Sequence, residues 1–385
     1  MLGITMAQAL SFTAGCQPRG ALTPAPTNRS RAILRPAPTR NPLIHAAAAR
    51  RLARHQSKLC VKSAMDEVDP VTGEVLDSAA RAPSASESVT AGGLTWAYRK
   101  GETDEAAAVG VDCPPVVLLH GLGGSSYSYR VTVEQLAGAG YEVYAPDFIG
   151  HGASSKPAPS SFGYDEAAYK KALGEFMAAA PFSKPVVLVV QGFILAQYAL
   201  LWAAENPDMV AKMVILNTPL SPKTKLPPYL APYKNPIAFM RPKGTFAADL
   251  HNAGGSAYVM RRKDADVYMQ PYVEDDGANE ALVATLDQCD LKALVSKVDE
   301  VYENWRAETL VLFGGSDSYV SQQSAFDFLD TKRTSMKIQT FEAKVGHMPQ
   351  EDYPEVLCKK LLSFLSGEVV KAVSPGTRIP GNFTD

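Results

Sequence analysis

At 385 residues the chain has room for one large domain with an insertion, or for two domains, and its 46% hydrophobic content is enough to bury a sizeable core. Its 38 basic and 40 acidic residues balance to −2, which offers no basic face for nucleic acid. The five cysteines (Cys16, Cys60, Cys113, Cys289 and Cys358) show neither metal-ligand spacing nor a disulfide framework.

The first 65 residues stand apart. They hold ten Lys or Arg, many Ser, Thr, Ala and Pro, and no acid before Asp66. An organellar transit peptide has that composition. The Pro-rich, Arg-spaced stretch 19–40 favours a chloroplast leader. Arg50-Arg51-Leu52-Ala53-Arg54 keeps a mitochondrial one open, and a disordered basic arm that stays attached is the plain alternative. Without these residues 28 bases face 40 acids, a balance of −12, which points away from nucleic acid and anionic membranes as partners.

Residues 66–90 are acidic and rich in Ser and Ala, and read as a linker. Leu94-Thr95-Trp96-Ala97-Tyr98 reads as the first strand. Short β-branched runs follow at 116–119, 142–145, 186–190, 213–217, 309–313 and 336–341, alternating with helical patterns at 130–139, 165–179, 194–205, 322–329 and 354–366. Such alternation, with near-continuous apolar strands, predicts an α/β fold: a mostly parallel central sheet covered on both faces by helices. The apolar stretch 186–204 is interrupted by Gln191, Gly192 and Gln197, so it reads as a buried strand turning into a buried helix, not a membrane span. The core is predicted over 91–218 and 305–366. The irregular, partly Pro-rich 219–304 reads as a helical cap, and 367–385 as a mobile tail. There is no internal repeat.

Five fragments carry a resemblance. They are His120-Gly121-Leu122-Gly123-Gly124 after an apolar run; Ser125-Ser126-Tyr127-Ser128-Tyr129-Arg130; Asp147-x-x-Gly150-His151-Gly152-x-Ser154-x-Lys156-Pro157; Val189-Val190-Gln191; and Gly346-His347-Met348-Pro349-Gln350-Glu351. In this order, over roughly 90–366, they resemble the α/β-hydrolase superfamily, most nearly its haloalkane dehalogenase and epoxide hydrolase branch and plastid proteins of that kind. The resemblance implies that His120, Gly121, Leu122 and Gly123 line a pocket, with the Leu122 N–H as an oxyanion donor. It implies that His347 is a general base, oriented by Asp317 in Phe313-Gly314-Gly315-Ser316-Asp317. Asp147 reads as a turn-organising residue.

The nucleophile turn departs from the pattern. Where Gly-x-Ser-x-Gly belongs, the chain reads Val190-Gln191-Gly192-Phe193-Ile194-Leu195. Counting from the strand puts Gly192 at the nucleophile position, and counting back from Pro207 puts Phe193 there. Neither side chain can attack a carbonyl, an epoxide or a carbon–halogen bond. The first register is preferred because Gly tolerates the positive φ of that bend. Phe193 then falls where dehalogenases hold halide with a Trp, and it has no N–H to offer. Ser125, Ser126, Tyr127 and Thr218 are the hydroxyls that could substitute, although Ser125 and Ser126 read more simply as caps for the helix beginning near Tyr129.

Three functions stay open. One is a hydrolase or lyase in which His347 and Asp317 activate water or deprotonate a small apolar substrate. Another is an inactive hydrolase-like protein that binds a small lipophilic ligand or a protein partner. The third is a serine hydrolase with a relocated nucleophile. No cofactor or metal is implied: no Gly-x-Gly-x-x-Gly stands at a strand-to-helix junction, and no metal-ligand cluster is present.

Overall fold

The computed structural model describes residues 86–108, 114–180, 182, 185–243, 260–329, 335–341 and 344–367, with the short antiparallel strands Glu67–Val68 and Val75–Leu76. The leader expected over 1–65, the tail beyond 367, and 244–259 of the expected cap lie outside the described residues. The chain divides into Met1–Ala47 and Ala48–Asp385, and everything described belongs to the second unit.

Eight strands form one sheet: β1 (Ser86–Ala91), β2 (Leu94–Lys100), β3 (Val116–Leu119), β4 (Val143–Pro146), β5 (Val186–Gln191), β6 (Val210–Leu216), β7 (Glu308–Phe313) and β8 (Met336–Thr340). Their spatial order is β8-β7-β6-β5-β3-β4-β2-β1. The β1–β2 and β2–β4 pairs are antiparallel and the rest are parallel. One row of partners, Val117, Leu188, Met213, Thr309 and Met336, crosses five strands. Thr309 is the polar member of that row, and its hydroxyl is satisfied by the Trp305 indole N–H at 2.8 Å and the Ala307 carbonyl at 3.0 Å.

The apolar strand runs have a simple cause. In β5 every residue is buried, and side chains alternate between two cores. Leu188 and Val190 join the larger core, while Val187 and Val189 join the smaller one on the opposite face.

Ten α-helical segments follow among the described residues: α1 (Glu105–Ala108), α2 (Arg130–Gly138), α3 (Glu166–Ala179), α4 (Leu195–Glu205), α5 (Arg262–Glu274), α6 (Asp276–Gln288), α7 (Leu291–Val301), α8 (Gln322–Phe328), α9 (Pro349–Asp352) and α10 (Pro354–Leu365). On the smaller-core face α2 packs against α10, and on the other face α3 packs against α4. Asp165 starts α3 by accepting the Ala168 N–H, and Asp290 starts α7 by accepting that of Ala293. The α7 stripe of Leu291, Leu294, Val295 and Val298 recurs at three and four residues and is buried. Each such side chain contributes about 1.5–3 kcal/mol relative to exposure, and the helix packs onto α4.

Most boundaries fall within a residue or two of expectation; the start of the sheet and the strand at 213–217 differ more. The 66–90 linker ends in a strand, so β2 is second in the sheet, not first. Ser86–Ala91 is a mostly exposed edge strand, which is why it shows no apolar alternation. Its local signal is Gly92-Gly93, both at positive φ (58° and 80°), which close a two-residue hairpin. The strand expected at 213–217 begins at Val210 and ends at Leu216.

Candidate functional site

The carboxyl ends of β3, β5, β6 and β7 bring the expected residues together. After β3, the buried His120 ring bridges two loops: Nε2 accepts the Phe148 N–H at 3.0 Å, and Nδ1 lies 2.8 Å from the Gly121 carbonyl. Both ring nitrogens are thus engaged, and burial lowers the pKa of His120. Gly123, at φ 74°, makes the turn. Asp147 holds that turn from the β4 side, its carboxylate accepting from the Ser126 N–H at 2.6 Å and the Ala153 N–H at 2.9 Å.

The bend between β5 and α4 runs Gly192 (φ 90°), Phe193 and Ile194 (φ 63°, ψ −66°). Positive φ thus falls at two positions of the bend, Gly192 and Ile194. Ile194 is the surprise, since a β-branched residue at positive φ is a genuine outlier. It is fully buried. Gly121 must be glycine: a Cβ there would stand 2.8 Å from the Gln191 carbonyl and 3.0 Å from the Phe193 nitrogen.

This close approach decides the oxyanion expectation. The Leu122 N–H donates to the Phe193 carbonyl at 3.1 Å, and the Leu195 N–H donates to the same oxygen at 2.8 Å. The Leu122 donor is therefore spent inside the protein, which corrects its reading as a free oxyanion donor. The cavity left beside the bend has about 20 Å³ and is lined by His120, Gly121, Leu122, Gly192, Phe193 and His347, among others. That volume suits about one water.

His347 and Asp317 meet, with Nδ1 to Oδ2 at 2.8 Å and both side chains almost fully buried. The Asp317 carboxylate also accepts from the Tyr319 and Val320 N–H groups at 2.8 and 3.0 Å and from the Asn217 amide at 2.7 Å. Rings crowd the imidazole: the Phe193 centroid lies 5.4 Å away, and Tyr319 meets it edge-on at 5.6 Å.

Two of the four candidate substitute hydroxyls are occupied elsewhere. The Tyr127 hydroxyl donates to Asp264 at 2.7 Å and that of Thr218 to the Leu216 carbonyl at 2.9 Å. Ser125 precedes the helical turn Ser126–Tyr129 but makes no side-chain cap bond. Among the described residues none of these four hydroxyls is hydrogen-bonded to His347.

Sequence reasoning missed Asn217. Its amide donates to Asp317 and to the Gly346 carbonyl at 3.2 Å, and its oxygen accepts the Gly314 N–H at 3.0 Å. It thereby ties the ends of β6 and β7 to the His347 loop. The available signal was a polar residue closing an apolar strand run. Gln191, part of the fragment Val189-Val190-Gln191, was given no role. It donates to the His347 carbonyl at 3.0 Å and accepts from Gln350 at 3.2 Å. A third omission is the ion pair between Arg130 and Glu351, whose two contacts measure 2.6 and 3.0 Å. Tyr268 of α5 donates to the same Glu351.

Among the described residues no three His, Cys, Asp or Glu side chains converge as a metal site, and no helix is long and apolar enough to cross a membrane.

The model of a family described as the alpha/beta hydrolase fold matches residues 114–354. A haloalkane dehalogenase of Mycobacterium marinum is 56% identical over 46 residues, 12% of this chain and 16% of that protein. One of Mycolicibacterium paratuberculosis is 36% identical over 109 residues, 28% of this chain and 35% of that protein. The chain thus spans about a third or less of the length of these relatives. Among solved structures, a loop variant of the haloalkane dehalogenase DbeA from Bradyrhizobium elkanii superposes with a TM-score of 0.58 at 19% identity, covering 74% of this chain and 96% of that one. That likeness concerns the fold.

Proposed function

The chain belongs to the α/β-hydrolase fold family, and from that premise we propose that it is a catalytically inactive member that acts by binding a small lipophilic ligand. The observation that carries this reading is the hydrogen bond from the Leu122 N–H to the Phe193 carbonyl. It consumes the donor that a developing oxyanion would need. Gly192 and Phe193 supply no nucleophile, so the covalent chemistry of a hydrolase or a dehalogenase has no first step. A cavity of about 20 Å³ admits no organic substrate.

A second reading rests on the intact contact between His347 and Asp317 at 2.8 Å. With one water beside it, that pair could act as a general base, worth about 10²–10⁴-fold in rate. It would need a substrate that reaches the imidazole past Phe193 and Tyr319.

The test is to treat the full-length protein with a fluorophosphonate probe and to assay it on ester, epoxide and haloalkane panels beside His347→Ala. No labelling, and no turnover above the variant, is expected. Turnover lost in His347→Ala would establish the general-base reading, and a labelled serine would establish a relocated nucleophile.

We also place the protein in the plastid, on the acid-free, Arg- and Pro-rich composition of residues 1–65. A fluorescent protein fused behind those residues should enter chloroplasts, and cytosolic fluorescence would overturn the placement.

A further inference from the structure

Ligand-sized space exists one strand along from the closed bend. A cleft of about 490 Å³ opens between the loop after β6 and the loop and helix after β7. It lies within the roughly 300–1,000 Å³ range of small-molecule sites. It also stands at the carboxyl ends of neighbouring parallel strands, where such folds bind their ligands. The cavity beside Gly192 is far smaller, at about 20 Å³.

The lining has two characters. Leu226, Pro227, Pro228 and the Tyr319 ring make an apolar wall, and Lys223 and Lys225 bring positive charge, with Asp327 the one acid among the lining residues. The Asp327 carboxylate accepts from the Gln323 amide at 2.9 Å, and its 3.9 Å pair with Lys223 joins largely exposed side chains, a kind of pair that is weak. Lys225 makes no ion pair among the described residues. Thr224 and Ser318 also line the cleft, and among the described residues neither hydroxyl makes a hydrogen bond. An ammonium group and unspent hydroxyl donors beside an apolar wall suit an anion with a greasy body.

We propose that this cleft binds a small amphipathic carboxylate, with its head at Lys225 and its apolar body against Leu226, Pro227 and Tyr319. The proposal deepens the reading of the protein as a binder by naming the ligand class and by moving the site away from the closed bend. Tyr319 connects the two places. Its N–H donates to Asp317, its ring meets His347, and its other ring neighbour, Tyr229 at 5.2 Å, lines the small cavity.

Calorimetric titration of the full-length protein with octanoate, octan-1-ol and octylamine tests it. Octanoate should saturate one site, octanol should bind more weakly, and octylamine should not bind. Lys225→Glu, at an exposed position, should keep the wild-type melting temperature and weaken octanoate by about fivefold or more, since it removes one attraction and adds a repulsion. Tyr319→Ala should weaken octanoate and octanol alike. Absence of saturable octanoate binding, octanoate binding unchanged in Lys225→Glu, or octylamine binding as tightly as octanoate would each overturn the proposal. The titration reads occupancy, so its failure leaves the proposed function in place. Turnover on the ester panel would overturn the proposed function and leave this site in place.

Discussion

The Phe193 carbonyl accepts hydrogen bonds from Leu122 at 3.1 Å and Leu195 at 2.8 Å, so the turn after β3 and the first turn of α4 close on the same oxygen. A side chain restored at position 192 would not reopen this arrangement. A Cβ on Gly192 would stand 3.1 Å from the Gly121 Cα, at a backbone φ of 90°. Gly192→Ser should therefore fold with a loss of about 1–3 kcal/mol, the usual cost of a non-glycine residue held at such a φ. It should remain unlabelled by fluorophosphonate, because the Leu122 donor stays occupied. Mass spectrometry showing the probe on the new serine would sink the idea that the backbone closes the site.

The fold was legible because burial writes itself into strand composition. Fully buried β3 and β5 appear as unbroken apolar runs, and the His347 and Asp317 positions appear through their glycine-flanked turns. The closure of the bend was not legible. It depends on a hydrogen bond between residues far apart in sequence, and the amide and carbonyl that make it look alike in every residue type. The role of Asn217 was hidden for a related reason: its three partners come from two other loops that only the sheet order brings together. The edge strand β1 escaped because an exposed strand has no apolar face to declare it.

Asn217 makes the second prediction. It is fully buried, at φ 40°, a conformation that asparagine tolerates better than alanine. Asn217→Ala would orphan the Gly314 N–H and remove one donor each from Asp317 and the Gly346 carbonyl. Each unsatisfied buried group costs about 1–3 kcal/mol. A loss of roughly 3 kcal/mol in urea unfolding is expected, with weaker His347 to Asp317 contact visible as a changed His347 imidazole NMR signal. A loss below 1 kcal/mol with an unchanged signal would show that the network does not hold these loops.

The third prediction concerns Arg130 and Glu351, which join α2 to α9 while Tyr268 of α5 donates to the same carboxylate. Glu351→Gln leaves the partly exposed guanidinium with Asp264 as its nearest remaining acid, at 3.7 Å. Losing hydrogen bonds to a charged group costs about 1.5–3 kcal/mol. The variant should melt well below the wild type, and hydrogen exchange should rise first in α5, whose Tyr268 loses its strong acceptor. Uniform exchange across all helices would argue that the pair does not hold α5 to the core.

Stability should also fall in mild acid, and two histidines set the window. His120 and His151 are both buried, with ring centroids 5.5 Å apart. Burial, and then the neighbouring His120, pushes His151 down to about 3, and burial lowers His120 as well. The unfolded chain titrates near 6.5. Below that pH the unfolded state therefore binds protons that the folded state refuses. The stabilising contribution is complete above about pH 6.5 and is lost as pH falls toward 3. At pH 5 the loss from His151 alone is about 2 kcal/mol. In His151→Leu the carboxylates still titrate as in the wild type, so their share cancels in the comparison. The drop in unfolding free energy between pH 7.5 and 5 should shrink by about 2 kcal/mol in that variant, whatever its stability at pH 7.5. Equal drops in the two proteins would mean that His151 takes up its proton without unfolding, and that its ring is not sealed from water as the fold places it.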